Sequence, residues 1–225
     1  MAHPLDRPFW SAITTRQRRF AVGDARAARF DPAIGWFAAA ADAAPDSLAA
    51  LAALVPAEGM VGLVEADPPP LPPALRIVSQ ARCVQMVADR PIAPPADFAC
   101  QPLGDGDAAD MLELATLTEP GPFFARTHEL GDFVGIREGG RLVAMAGERL
   151  KPPGYTEVSG VCTRPGFRGR GHAAGLMAVV AARIGARGET PFLHAYADHA
   201  ATIALYERLG FRVRATVLYT IVARA

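Results

Sequence analysis

The chain has 225 residues, of which 51% are hydrophobic, so it has enough apolar side chains for a packed core and is not expected to be disordered. Its 23 Lys and Arg residues are balanced by 23 Asp and Glu residues, which argues against nucleic acid or an anionic membrane surface as a partner. Cys83, Cys100 and Cys162 are few and lack metal-ligand spacing, so they predict a reducing compartment and no metal site.

The first ten residues, MAHPLDRPFW, lack the charged start and apolar core of a secretory signal. No stretch has the roughly 18 consecutive apolar residues that a membrane-spanning helix needs. We therefore expect a cytoplasmic protein with no membrane partner, and we expect it to act as a monomer or a homodimer.

Residues 1–97 give weak structural signals. The predicted elements are helices over 14–28 and 46–54 and strands over 60–64 and 76–88. The proline-rich run at 67–73 excludes a helix or a central strand, because proline donates no hydrogen bond and fixes φ. It predicts a stiff loop, with a polyproline ligand for a partner domain as the alternative. A second proline-rich run, at 91–95, predicts a boundary.

Residues 98–225 give sharper signals. The predicted elements are a helix over 105–118, a hairpin of strands 133–137 and 142–146, a strand over 156–163, a helix over 171–187, a strand over 192–197, a helix over 199–209 and a strand from 211 onward.

A loop rich in Gly and Arg joins the strand over 156–163 to the next helix. Glycines let backbone N–H groups turn toward one point, and a helix start adds free donors and the positive end of its dipole. Such a loop can hold a pyrophosphate, and Arg168 or Arg170 can pair with further phosphate oxygens. The Lys-Ser/Thr pair of nucleotide-triphosphate loops and the dinucleotide-binding glycine spacing are both absent.

Two motifs in this half resemble the GNAT superfamily of acetyl-CoA-dependent N-acetyltransferases. Arg168, Gly171 and Ala173 match the signature Arg/Gln-x-x-Gly-x-Gly/Ala, and residues 201–211 resemble the closing helix with its Leu-Tyr-Glu-x-Leu-Gly-Phe ending. The resemblance covers about residues 98–225. Residues 191–194 also resemble the subgroup that includes glycine-N-acyltransferase-like enzymes.

The sequence departs from the family pattern at two positions. His199 stands where many members have Asn, and Thr202 stands where Ala is usual. Neither departure touches the predicted phosphate loop.

The resemblance implies an α/β fold with a mixed, largely antiparallel sheet flanked by helices. Residues 98–225 would form the acetyltransferase domain, and residues 1–97 an α/β subdomain, either separate or a degenerate copy of the same fold. The implied cosubstrate is acetyl-CoA, and the acceptor is an amine of a small molecule or peptide, acetylated by direct transfer in a ternary complex. The implied CoA-binding residues are Val161, Cys162, Thr163, Arg168, Gly169, Arg170, Gly171, His172 and Ala173.

Acetylation of an amine requires a base, because the amine is protonated at neutral pH. The resemblance places such a carboxylate on the strand that enters the phosphate loop, where Glu157 lies, with Glu148 as its rival. Strand alternation predicts that Glu157 shares a face with Val161 and Thr163. A backbone N–H near Val161 would stabilise the oxyanion, and the resemblance gives Tyr206 the role of protonating the CoA thiolate.

Several alternatives remain open from the sequence. Phe123, Phe124 and Arg126 border the acceptor pocket if the linker at 116–128 is used as in the family, and otherwise form a surface loop. Cys162, with His194 as base, could form an acyl-cysteine, although its apolar strand favours packing. A non-catalytic acyl-CoA-binding or regulatory module and an interaction protein that recruits a partner through residues 1–97 are the rival functions.

Overall fold

A computed structural model describes residues 3–225. Residues 1 and 2, which begin the segment predicted to lack a secretory signal, lie outside the described residues. Between residues 3 and 225 the helices are α1 (Pro8–Ile13), α2 (Pro45–Leu54), α3 (Ala108–Thr118), α4 (His172–Ala186) and α5 (Ala200–Arg208). The strands are β1 (Ala21–Gly23), β2 (Ala27–Phe30), β3 (Ala38–Ala40), β4 (Val61–Glu65), β5 (Leu75–Val87), β6 (Gln101–Leu103), β7 (Phe133–Glu138), β8 (Arg141–Glu148), β9 (Tyr155–Thr163), β10 (Thr190–Tyr196) and β11 (Arg212–Arg224).

Eight strands form one sheet in the order β4-β11-β5-β10-β9-β8-β7-β6. Every neighbouring pair is antiparallel except β9 and β10, which are parallel. A second sheet of three short antiparallel strands, β1-β2-β3, belongs to the N-terminal segment. The predicted α/β fold with a mixed, largely antiparallel sheet is therefore confirmed.

Helices cover both faces of the large sheet, because its strands alternate apolar side chains between two clusters. On one face α4 packs Leu176 and Ile184 against Ala144, Ala146 and Val158. On the other face α3 packs Met111 and Leu114 against residues that include Met145. None of the helices in the described part of the chain is long and apolar enough to cross a membrane.

The helix predicted over 14–28 was wrong. Helix α1 ends at Ile13, and the segment instead contains a 3-10 turn at Arg18–Phe20 followed by the hairpin of β1 and β2. Gly23 makes this hairpin possible: its φ is +123°, and a Cβ there would lie 2.3 Å from the Ala27 carbonyl oxygen. The remaining predicted helices correspond to α2, α3, α4 and α5.

The N-terminal segment contributes two strands to the large sheet. Strand β5 lies between β10 and β11, and β4 pairs with the other edge of β11. The predicted division at residue 97 stays a prediction, and the backbone hydrogen bonds of the sheet cross it.

Strand β9 contains a β-bulge that breaks its alternation. Met145 pairs with Cys162 but Gly147 pairs with Ser159, so β9 has one extra residue opposite β8. Gly160 lies in this bulge with φ +63°. Consequently Val158 and Val161, three positions apart, both pack in the cluster around α4. The predicted shared face of Glu157 and Val161 was therefore wrong.

Strands β9 and β10 diverge after a short parallel contact. Their pairing runs only from Thr190 opposite Tyr155 to Phe192 opposite Glu157. Strand β9 continues to Thr163 and β10 to Tyr196 without further pairing between them. The sheet therefore opens at this point, next to the start of α4.

Candidate active site

A cavity of about 390 Å³ lies beside the start of α4, and we call it the loop cavity. Its lining residues are Thr118, Val161, Cys162, Thr163, Phe167, Arg168, Gly169, Gly171, His172, Ala173, Ala174 and Leu205. Of the residues predicted to bind CoA, only Arg170 is outside this set. Its guanidinium pairs with Glu138 at 3.2 Å and lies 4.9 Å from the centre of the Phe167 ring.

The backbone of the loop cavity is suited to a phosphate group. Gly169 and Gly171 have φ of +77° and +79°, a left-handed conformation that side chains other than glycine rarely adopt. The first hydrogen bond of α4 runs from the Gly175 N–H to the Gly171 carbonyl, at 3.0 Å. The N–H groups of residues 172–174 therefore have no intrahelical partner, and these residues line the cavity.

Two buried side-chain atoms of the loop cavity also lack a partner. Thr163 Oγ1 and His172 Nε2 form no hydrogen bond with any group in residues 3–225. Buried polar atoms are normally paired, and both residues line the cavity, but the two atoms are themselves closed to solvent and His172 Nε2 lies 3.8 Å from Glu138 Oε1. The donors, the two left-handed glycines and Arg168 together fit the pyrophosphate of acetyl-CoA.

Cys162 lines the loop cavity without the features of a nucleophile. Burial raises the pKa of its thiol to about 11, so the thiol stays protonated at neutral pH. Its side chain belongs to the apolar cluster around α3. Both observations favour packing over an acyl-cysteine.

A second cavity, of about 300 Å³, is lined in part by α5, and we call it the aromatic cavity. Its lining residues are Phe37, Val64, Cys83, Glu119, Pro120, Gly121, Pro122, Arg149, His194, Ala195, Tyr196, His199, Thr202, Tyr206 and Tyr219. They come from both sides of the predicted boundary at residue 97. His199 and Thr202, the two departures from the family pattern, are among them.

Consecutive residues of the chain line the two cavities at two points. Thr118 lines the loop cavity and Glu119 the aromatic cavity, and Leu205 and Tyr206 are divided in the same way. Glu119 and Tyr206 line the aromatic cavity at the two points where the chain passes from one lining to the other, and we call these two points the junction. Burial raises the pKa of Tyr206, so its hydroxyl is protonated and can donate at neutral pH.

Glu157 lies behind the aromatic cavity. Arg149 Nε and Nη2 each donate to its carboxylate at 2.8 Å, and His194 Nδ1 lies 2.8 Å from Oε1. Burial alone would raise the pKa of Glu157, but the charge and hydrogen bonds of Arg149, together with His194, lower it to about 2. Arg149 and His194 line the cavity, whereas Glu157 does not.

The hydrogen-bond network fixes the tautomer of His194. The Gln85 amide nitrogen donates to the Leu5 carbonyl at 2.8 Å, and its oxygen accepts from Arg214 at 2.8 Å. The same amide nitrogen lies 3.1 Å from His194 Nε2, so Nε2 accepts and Nδ1 donates to Glu157. Both nitrogens of His194 are thus occupied.

The remaining predicted site residues lie outside both cavities. Glu148 is buried between Lys151 Nζ at 2.8 Å and an Arg187 nitrogen at 2.6 Å. The Phe123 ring packs against Phe133, and the Phe124 ring packs against Trp36. The linker between α3 and β7 reaches the aromatic cavity through residues 119–122 instead.

Glu119 was not predicted as a site residue. It ends α3 with φ 50° and ψ 55°, a left-handed conformation that is rare for a residue other than glycine. Its carboxylate forms no ion pair or hydrogen bond with a described residue, although it lines the aromatic cavity. A left-handed residue is also a common way for a helix to end, although it is usually glycine or asparagine. The described residues contain no group of three or more side chains that could hold a metal ion.

A sheet that opens beside a helix start suited to phosphate, with a second cavity nearby, is the architecture expected of a CoA-dependent acyltransferase. The model of the FR47-like protein family matches residues 133–220. A solved structure of a GNAT-family protein from Novosphingobium aromaticivorans is 45% identical, with a TM-score of 0.93 and 100% of both chains covered. The chain belongs to the GNAT family of acetyltransferases, whose members use acetyl-CoA as cosubstrate.

A more distant solved structure shares the fold. It is a GCN5-related N-acetyltransferase from Kribbella flavida, at 21% identity and a TM-score of 0.68, with 97% of this chain and 96% of that chain covered. No curated protein matches the chain.

Proposed function

We propose that this acetyltransferase moves the acetyl group of acetyl-CoA to the amine of a small molecule or peptide, directly and with both substrates bound. The observation that carries the proposal is the junction, where Glu119 and Tyr206 of the aromatic cavity follow Thr118 and Leu205 of the loop cavity in the chain. A cosubstrate in one cavity and an acceptor in the other would bring thioester and amine together without a covalent enzyme intermediate. We further propose that the protein is cytoplasmic and acts as a monomer or homodimer.

The size of the aromatic cavity favours a small acceptor. Its volume of about 300 Å³ is at the low end of small-molecule sites. Phe37, Val64 and Cys83 supply apolar walls from the N-terminal segment. A peptide would have to insert its terminal amine alone.

In the proposed acyl transfer the loop cavity binds the cosubstrate and Tyr206 acts as the proton donor. The helix start and Arg168 hold the pyrophosphate, and the bound acetyl-CoA supplies the activated acyl group. As the C–N bond forms and the C–S bond breaks, the Tyr206 hydroxyl gives its proton to the departing thiolate. A backbone N–H near Val161, at the bulge of β9, is the proposed donor to the oxyanion.

The amine proton needs an acceptor, and the geometry favours Glu119 over Glu157. The predicted base, Glu157, has both carboxylate oxygens engaged by Arg149 and His194. Glu119 is an exposed residue of the cavity lining, and no described residue binds its carboxylate. We propose that Glu119 takes the proton, directly or through water, and that Glu157 positions Arg149 and His194.

Release of free thiol from acetyl-CoA with a panel of amines tests the proposed function. Glu119→Gln should lower turnover by about 10²–10⁴-fold at unchanged acetyl-CoA affinity, and the loss should shrink at high pH, where more amine is neutral. A Glu157→Gln variant that shows this behaviour at wild-type stability would return the base role to Glu157. If the protein binds acetyl-CoA but none of the amines in the panel causes release of thiol, it is a binding module.

A further inference from the structure

Arg149 presents an unused hydrogen-bonding edge to the aromatic cavity. Its Nε and Nη2 bind Glu157, whereas Nη1 donates to no group in residues 3–225. The side chain is only 14% exposed, and its guanidinium carbon lies 4.9 Å from the centre of the Phe37 ring. A guanidinium has donors on more than one edge, so a second anion can bind beside the first.

Tyr219, which also contacts Phe37, presents a second donor. Its hydroxyl oxygen accepts from Trp36 Nε1 at 3.0 Å, and its ring centre lies 6.0 Å from that of Phe37. Burial raises the pKa of Tyr219 to about 12, so the hydroxyl keeps its own proton at neutral pH. No described residue accepts that proton, although the side chain lines the cavity.

This wall depends on close packing around Gly62. A Cβ at Gly62 would lie 2.9 Å from the Tyr219 ring and 3.2 Å from Trp36 Nε1. Because Gly62 has no side chain, Trp36 can approach Tyr219 and orient the Tyr219 hydroxyl. Two donors, one of them on the Arg149 cation, are thus fixed before any ligand binds.

The cavity lining includes one positively charged residue, Arg149, and one negatively charged residue, Glu119. The negative charge of Glu157 lies on the far side of the guanidinium, outside the cavity lining, and Glu119 lies at the junction with the loop cavity. Resting on the proposed function, we infer that the acceptor is an amino acid or a similar small amine that carries a carboxylate. The carboxylate binds Arg149 Nη1 and the Tyr219 hydroxyl, and the ammonium group faces Glu119 before it loses its proton.

Matched substrates test this inference. Phenylalanine and phenethylamine, and leucine and isoamylamine, differ by one carboxylate each. The amino acid of each pair should have kcat/KM, expressed per neutral amine, about 10-fold to 100-fold above that of its partner, as for hydrogen bonds to a charged group. Equal values, or thiol release only with amines of the panel that carry no carboxylate, would overturn the inference and leave the proposed function intact, whereas no thiol release with any amine of the panel would overturn both.

Two tyrosine variants separate recognition from packing. Tyr219→Phe removes the proposed donor and should lower the ratio between the members of each pair by about 10-fold. Tyr155→Phe removes a hydroxyl that lies 3.1 Å from His3 Nε2 and outside both cavities. It should leave the ratio unchanged. An equal effect of the two variants on the ratio would overturn the role of Tyr219.

Discussion

Tyr206 combines a packed ring with a hydroxyl that has no hydrogen-bond partner in the described residues. The ring packs in the cluster around α4, near Phe211. Tyr206→Phe keeps this ring, so the free energy of unfolding should change by about 1 kcal/mol or less. Turnover should fall by about 10²-fold or more, because the departing thiolate loses its proton donor, while acetyl-CoA binding stays near wild type.

Steady-state rates and a melting curve on the same preparation decide the role of Tyr206. Full activity with reduced stability would show that the ring packs and that water or another group protonates the thiolate.

The buried pair of Glu157 and Arg149 predicts a loss of stability in acid. The folded-state pKa of Glu157, about 2, lies below its ordinary value of 4.5. The carboxylate therefore makes its full contribution to the free energy of unfolding above about pH 4.5, and this contribution is lost as the pH falls from there toward 2. By linkage it amounts to about 3 kcal/mol. Unfolding free energies measured in denaturant between pH 7 and pH 3 should decrease in this window.

Glu157→Gln should destabilise the protein at pH 7 by about 3–5 kcal/mol, because Arg149 stays buried without its counter-charge. The decrease in acid should become shallower in this variant. Asp24→Asn is the matched control: its pKa is also lowered to about 2, by hydrogen bonds from Arg26, but the pair is exposed and is screened by solvent. A wild-type acid profile for Glu157→Gln would contradict the assignment.

At the scale of elements, the two ends of α4 provide a matched test of the loop cavity. Gly171 begins the helix with φ +79°, and Gly188 follows its end with φ +76°; a Cβ at either position would meet no atom within 4 Å. Aspartate at either position therefore brings similar backbone strain. Only Gly171→Asp places a negative charge at the proposed phosphate site.

Acetyl-CoA at about 100 times its dissociation constant should stabilise the wild-type protein by about 2.7 kcal/mol, seen as a higher melting temperature. Gly171→Asp should abolish this shift, and Gly188→Asp should retain it, whatever the melting temperatures without ligand. A retained shift in Gly171→Asp would remove the phosphate site from this loop.

The sequence predicts those elements whose signals are local. The start of α4, the hairpin of β7 and β8 and the closing helix α5 each have their own caps, glycines or periodicity, and the structure contains all three. Alternation in β9 was misleading, because one bulge at Gly160 moves every later side chain to the other face.

Site residues without a local motif were missed for a different reason. Arg149, Phe37 and Tyr219 lie far apart in the sequence and meet only because β5 and β4 join the large sheet. Glu119 has an unusual backbone conformation that the side-chain pattern does not show. Of the segments without a motif, only the linker at 116–128 was predicted to border the acceptor pocket. The prediction named Phe123, Phe124 and Arg126, whereas residues 119–122 of the same linker line the cavity.

At the scale of the whole molecule, β5 connects the two halves of the chain. Strand β11 has β5 on one side and β4 on the other, and β10 pairs with β5 from Cys83 to Val87. Without residues 1–97, β11 would lose its backbone partners on both sides. The buried residues Val217 and Val222 on β11 would also lose apolar neighbours from the N-terminal segment.

A truncated chain of residues 98–225 tests whether the predicted acetyltransferase domain is independent. We expect this fragment to show no cooperative unfolding transition and no stabilisation by acetyl-CoA, because unpaired backbone groups and exposed apolar strands oppose folding. Adding residues 1–97 as a separate fragment should restore both, since the sheet needs the strands but not the peptide bond at residue 97. Circular dichroism and thermal melting of the fragments, alone and mixed, measure this. A fragment 98–225 that unfolds cooperatively and binds acetyl-CoA alone would instead establish two independent domains, with residues 1–97 added to complete the aromatic cavity.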